Sequence, residues 1–131
     1  MIRSSLRSPG SADGFATLVF AILGQQRSVV AARTLAGRIA ARARGAAITG
    51  LAPFPGPGAL RDLDLTGIGL NQRPIATLAA VAARFDGRTD ELSPGGDRDE
   101  LRAELVSIPG IGPWTANYVA MRVLGHPDIF L

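Results

Sequence analysis

The chain has 131 residues, 47% of them hydrophobic, and a formal net charge of +3 from 14 basic and 11 acidic side chains. That length holds one small domain with its own core, and without cysteine there can be no disulfide, thiolate zinc site or cysteine-ligated iron–sulfur cluster within these residues. No apolar run approaches the roughly 20 residues that span a bilayer, no signal-peptide pattern opens the chain, and every basic residue is arginine, so no lysine can form a Schiff base.

Helical periodicity recurs along the chain and predicts an all-α protein. Residues 1–12, rich in Ser, Gly and Arg, are expected to be poorly ordered, and residues 13–131 form one helical domain. From Asp13 to Gly24 the spacing of Phe15, Leu18, Val19, Ile22 and Leu23 reads as a buried helix that Gly24 ends. Ser28 can cap a long helix to about Arg44, with Val29, Ala32, Ala36, Ile39 and Ala43 inward and Arg33, Arg38 and Arg42 mostly outward. Between the two lies a polar corner, Gln25-Gln26-Arg27. Residues 46–58, with Pro53, Pro55 and Pro57 among glycines, read as a loop. A short helix follows over Ala59 to Leu63. Thr66-Gly67-Ile68-Gly69 reads as a structural turn, and a helix from Asn71 to Phe85 carries Pro74 in its first turn and Ile75, Leu78, Ala79 and Ala82 as its packing face. Residues 86–96 read as a polar loop. Up to Arg61 there are eight arginines against one acid, and beyond it six against ten. Such a basic half suits a polyanionic partner and equally an ordinary solvated helix face.

The most informative stretch is Leu105 to Leu131. Asp97 and Glu100 stand at the first and fourth positions of a capping box, and Leu101, Leu105 and Ile108 follow at helical spacing, which predicts a helix over 97–107. Pro109 stops it, Gly110 and Gly112 permit backbone angles closed to other residues, and Pro113 suits the first position of a second helix. That helix, with Ala116, Val119, Ala120 and Val123 on one face, runs to about Gly125. The product is a helix-hairpin-helix. Its glycine corner and the first turn of the second helix present backbone N–H groups without intrahelical partners, where the helix dipole favours an anion such as a phosphate oxygen. Read alone, Gly-x-Gly is equally a tight turn between packed helices.

The segments PGIGPWTANYVAMR and FATLVFAILGQQRS make the chain resemble the helix-hairpin-helix DNA glycosylases, and within them the bacterial 3-methyladenine DNA glycosylase II branch, over roughly Arg7 to Leu131. The resemblance implies a helix-hairpin-helix DNA glycosylase fold, incomplete at the carboxyl terminus. Gly110, Ile111, Gly112 and Thr115 would bind the DNA backbone through main-chain amides and the Thr115 hydroxyl. Main-chain carbonyls of Val106, Ile108 and Ile111 would hold a monovalent cation, Na+ or K+, with no catalytic metal and no required cofactor. Trp114 and Tyr118, at i and i+4, would line the pocket for an extruded base. Without the resemblance that pair reads as core packing. Gln26 is the candidate wedge into the space a flipped base vacates, or else a helix-capping corner residue.

In this family a catalytic aspartate follows the hairpin's second helix, just after an Asp-hydrophobe-Phe-Leu segment. Here Asp128-Ile129-Phe130-Leu131 closes the sequence and the aspartate is expected about three residues further on. Asp128 occupies a position that is not the catalytic one, and His126, the lone histidine, reads as a surface turn residue. The function implied is a base-excision repair glycosylase that hydrolyses the N-glycosidic bond of alkylated purines such as 3-methyladenine. Its partner would be double-stranded DNA containing alkylated bases, and it would act as a monomer in the bacterial cytoplasm at the nucleoid. In the related endonuclease III branch a lysine occupies the position of Trp114, so a monofunctional enzyme without lyase action is implied. The alternatives are a non-catalytic helix-hairpin-helix DNA-binding module and a glycosylase for oxidised or mismatched bases. The resemblance further implies that helices after the aspartate pack back on the amino-terminal helices, so Phe15, Leu18 or Val29 should stand uncovered in this chain.

Overall fold

The computed structural model describes residues 10–46, 55–92 and 96–124. Among them are six α-helices, one 3-10 turn and no strand: α1 (Gly10–Gly24), α2 (Val29–Ala46), α3 (Pro57–Arg61), α4 (Gln72–Phe85), the 3-10 turn (Thr89–Leu92), α5 (Arg98–Val106) and α6 (Pro113–Leu124). The expected all-α class is what the chain adopts. Asp128 and His126 lie outside the described residues.

Helix α1 is the axis of the molecule. From Phe15 onward its apolar residues point in nearly every direction, and Phe15, Leu18, Val19, Ile22 and Leu23 are all fully buried, as a helix hydrophobic around its circumference must be. It packs on α2, α4, α6 and the 3-10 turn. The closest approach is at Gly14, where an added Cβ would collide with the Leu92 carbonyl, so only glycine lets the 3-10 turn lie against the helix. Leu92, in a segment that reads as a polar loop, is thereby buried in the core.

Ser28 caps α2 as its position predicts: its Oγ accepts from the Ala31 amide at 3.0 Å. The inward face differs from the expected one. Ala32, Leu35 and Ile39 are buried, whereas Val29 and Val30 are 61% and 73% exposed. Val29 is the first residue of α2, directly after its Ser28 cap. Phe15 and Leu18 are closed by α1's neighbours, so of the three residues expected to stand uncovered only Val29 does. On α4 the buried face is Thr77, Leu78, Val81, Ala82 and Phe85, and Ala79 faces solvent. The stripe is turned because the two largest side chains at helical spacing, Leu78 and Phe85, take the core. Helix α3 starts at Pro57, two residues earlier than its spacing predicts, because the fixed φ of Pro57 suits the first turn.

The hairpin helices form as read. Asp97 caps α5 by accepting from the Glu100 amide at 3.1 Å, Leu101, Leu105 and Ile108 are buried, and Ala116, Val119, Ala120 and Val123 of α6 close against the core. Glu104 ties α5 to the end of α4, accepting from Arg84 at 2.8 Å and Arg88 at 3.1 Å. No described helix is long and apolar enough to cross a membrane.

Candidate nucleic-acid interface

The α1–α2 corner, the start of α4 and the α5–α6 hairpin meet around an open groove of about 1090 Å³, whose walls include Phe20, Gln25, Gln26, Arg27, Asn71, Arg73, Gly110, Gly112, Trp114, Thr115 and Tyr118. Two segments about 85 residues apart in sequence, those singled out from the sequence, therefore face one another. The groove wall carries the cations Arg27 and Arg73 and, among the described residues, no carboxylate and no histidine. Such a surface attracts anions and offers no general base.

The hairpin's geometry decides which of its amides are open. Ile108 closes a turn by accepting from the Ile111 amide at 3.1 Å, and Gly112 starts α6 by accepting from Ala116 at 3.0 Å. Gly110 has φ +99°, and an added Cβ there would collide with Thr77 Oγ1. Glycine is required at that point twice over, by conformation and by space. The Thr77 hydroxyl donates to the Pro109 carbonyl at 3.1 Å from α4. Of the two glycine amides expected to face outward, Gly110 is open. Gly112 is not, because it donates to Gln25 Oε1 at 3.2 Å, and the Gln25 Nε2 in turn donates to the Gly110 carbonyl at 2.9 Å. The amides of Gly110, Trp114 and Thr115 find no acceptor among the described residues. The Thr115 side chain is 5% exposed and its hydroxyl makes no hydrogen bond there, although a buried hydroxyl ordinarily takes one.

Trp114 is 74% exposed and stacks on Tyr118, with ring centroids 5.4 Å apart and planes within 5° of parallel. The two rings thus form a platform, not a slot. A planar base inserted between them would need roughly twice the usual stacking distance, so a ligand ring can stack only on an outer face. Gln26 stands exposed at the opposite side of the corner with φ +61°, the only described non-glycine residue with positive φ. A glutamine so held costs about 1–2 kcal/mol and is kept there by its surroundings. Arg27 supports the corner by donating to the Leu23 carbonyl at 3.1 Å, where the α1 dipole is negative.

Sequence reasoning placed Gln26, Gly110, Ile111, Gly112, Trp114, Thr115 and Tyr118, and the structure brings all seven to the wall of one groove, although Ile111 and Thr115 are largely buried there. It missed Gln25, whose partners lie too far along the chain for periodicity to detect, and Asn71 and Arg73, which read as the ordinary first turn of a helix.

No protein-family model matches the chain. It is 35% identical over 130 residues to a "probable bifunctional transcriptional activator/DNA repair enzyme AlkA" of Mycobacterium tuberculosis, an alignment that covers 95% of this chain and 26% of that protein. It is 36% identical over 136 residues to DNA-3-methyladenine glycosylase 2 of Escherichia coli, covering 98% of this chain and 48% of the relative. With the DNA-3-methyladenine glycosylase of Bacillus subtilis the identity is 31% over 135 residues, covering 95% and 44%. The chain spans between about a quarter and a half of the length of the curated relatives it matches. Over nearly all of its own length, then, the chain resembles a part of the DNA-3-methyladenine glycosylases, in keeping with the helix-hairpin-helix glycosylase motifs of its sequence.

Proposed function

We propose that this chain is the DNA-gripping and base-receiving part of a monofunctional glycosylase that removes alkylated purines from double-stranded DNA. The observation that supports it best is the single groove joining open hairpin amides, an exposed aromatic platform, a left-handed glutamine and the cations Arg27 and Arg73. In this reading a phosphate oxygen accepts from Gly110, Trp114 and Thr115 at the positive end of α6, with the Thr115 hydroxyl as a further donor. Ile111 shapes the corner through its buried side chain, and Gly112 serves by holding it. Gln26 enters the space a base vacates, where its amide can hydrogen-bond the orphaned partner base.

The extruded base stacks on the outer face of the Trp114–Tyr118 platform. A purine alkylated at N3 or N7 is cationic, so an electron-rich ring face attracts it by about 0.5–2 kcal/mol, and it is already a good leaving group. Hydrolysis then needs chiefly a negative charge beside the developing oxocarbenium sugar. No groove residue supplies one, and the aspartate expected after Leu131 would. Within these residues Schiff-base lyase chemistry has no lysine to use.

The carbonyls of Val106 and Ile111 meet no donor among the described residues, and that of Ile108 accepts only from Ile111, leaving a lone pair. Three such oxygens suit a hard monovalent cation, which would neutralise charge beside the bound phosphate. The protein would act as a monomer in the bacterial cytoplasm.

Two measurements test the reading: affinity of residues 1–131 for a duplex with a tetrahydrofuran abasic analogue, and release of 3-methyladenine from methylated duplex. Binding that is tighter than to the intact duplex, with release appearing only in a polypeptide that carries the aspartate, is expected. Equal, purely salt-governed binding to both duplexes would overturn base extrusion. The absence of a carboxylate in the groove favours a second reading, a DNA-binding module without chemistry. It would stand if the longer polypeptide also released nothing.

A further inference from the structure

We propose that Gln25 is a positioning residue that sets the hairpin's phosphate grip and the Gln26 corner at a fixed separation, so that both engage one DNA site together. The inference rests on the DNA-binding reading above. Its basis is the fork of the Gln25 carboxamide, which donates through Nε2 to the Gly110 carbonyl at 2.9 Å and accepts through Oε1 from the Gly112 amide at 3.2 Å. These are the two peptide groups that flank Ile111 at the hairpin's tip. A primary amide offers a donor and an acceptor on one terminal group in one plane. Glutamate would keep the acceptor and lose the donor, arginine the reverse, and asparagine is a methylene shorter.

The placement of this fork gives it a role beyond packing. Gln25 is covalently joined to Gln26, whose positive φ fixes the direction of the corner, and Arg27 anchors the far side on the Leu23 carbonyl. The hairpin is held from the other flank by Thr77 on the Pro109 carbonyl at 3.1 Å. Without Gln25 the hairpin keeps its fold through Thr77 and the buried Ile108 and Ile111, but its tip is free to shift against the corner. The Gly112 amide would then be open as well, and a site with one more loose donor binds an anion less selectively than a site whose donors are preorganised.

The test compares wild type with Gln25→Ala, Gln25→Met and Gln25→Glu in thermal unfolding, Gly112 amide exchange by NMR, and affinity for abasic-analogue and intact duplexes. For Gln25→Ala and Gln25→Met we expect a melting temperature close to wild type, Gly112 exchange faster by about tenfold, and affinity for the abasic-analogue duplex lower by about tenfold, in line with loss of one or two neutral hydrogen bonds. The intact duplex should lose less, because it uses the phosphate grip without the corner. Gln25→Glu should bind worst, since it keeps one bond and adds a carboxylate beside the anion site. Loss that is equal for both duplexes, or that tracks the melting temperature, would reduce Gln25 to a structural residue and overturn the proposal. So would wild-type affinity in all three variants. If wild type binds neither duplex, the DNA-binding reading itself fails and the positional role falls with it, while Gly112 exchange still reports whether the fork forms.

Discussion

Two glycine corners of nearly the same sequence, Thr66-Gly67-Ile68-Gly69 and Pro109-Gly110-Ile111-Gly112, are built in opposite ways. Each buries its isoleucine and each holds its first glycine at positive φ, +84° at Gly67 and +99° at Gly110. The earlier corner is tied down by charge: Arg38 donates to the Ile68 carbonyl at 2.6 Å, and Arg42 to those of Asp64 and Thr66 at 2.6 and 2.8 Å. Its outward carbonyls are consumed by α2. Among the described residues the later corner is held only by neutral groups, the Gln25 amide and the Thr77 hydroxyl, and the Gly110 amide and the first amides of α6 meet no acceptor. On the proposed reading, a turn that receives an anion must keep its amides open, whereas a turn that only connects two helices can be tied down on every side. Nearly the same four-residue pattern is thus fastened by arginines in one place and left with open amides in the other.

The sharpest way to break this comparison is alanine at the two first glycines. Gly110→Ala adds left-handed strain of about 1–2 kcal/mol to a collision with Thr77 that costs about 1–3 kcal/mol more, and duplex binding should be lost with it. Gly67, beside which an added Cβ meets nothing within 4 Å, should show only the conformational cost, about 1–2 kcal/mol, with binding intact. Denaturant unfolding and fluorescence anisotropy on both variants check the pair. Equal damage at both corners would remove the distinction.

Next in size is Trp114→Ala. Because the ring is largely exposed, stability should move by about 1 kcal/mol or less, while affinity for a duplex with an extruded base falls by about 1–3 kcal/mol. Retained affinity would return Trp114 to a bystander. Smaller again is Arg42→Ala, which removes two charge-assisted bonds at an exposed site and should cost about 1 kcal/mol of stability without changing duplex affinity. A large loss of affinity instead would mean that α2 itself touches DNA.

The smallest effect concerns pH. The Thr66 hydroxyl, and then its amide, donate to the Asp64 carboxylate at 2.6 and 3.0 Å and hold its pKa below the ordinary value. The unfolded chain therefore binds more protons between the two pKa values, so stability rises with pH in that window. This contribution is fully present above the unfolded pKa and is lost as pH falls through the lowered folded one. The later corner contains no titrating group. The Thr66 amide shift should follow an acidic titration that Gly112 does not share; a matching titration at Gly112 would place an unseen charge at the hairpin.

Much of this was legible because it is local. Ser28 and Asp97 were recognisable as caps, the hairpin from Pro109, Gly110, Gly112 and Pro113, and α1 from its unbroken apolar spacing, since each depends on residues within a turn of one another. The errors fall where a distant partner decides. Leu92 is buried because Gly14 lets it in, and α4 is turned because Leu78 and Phe85 claim the core.

By itself the sequence determined the helices, their caps and the glycine corner, because short-range sterics and hydrogen bonding act wherever the chain lies. Which amides stay open, which rings stack on each other instead of apart, and that Gln25 reaches across to the hairpin were decided only by tertiary structure. The contacts of Gln25 and Thr77 with the hairpin join residues tens of positions apart, and no local preference carries the information that they meet; the rings are only four apart, but their rotamers are set by the packing around them.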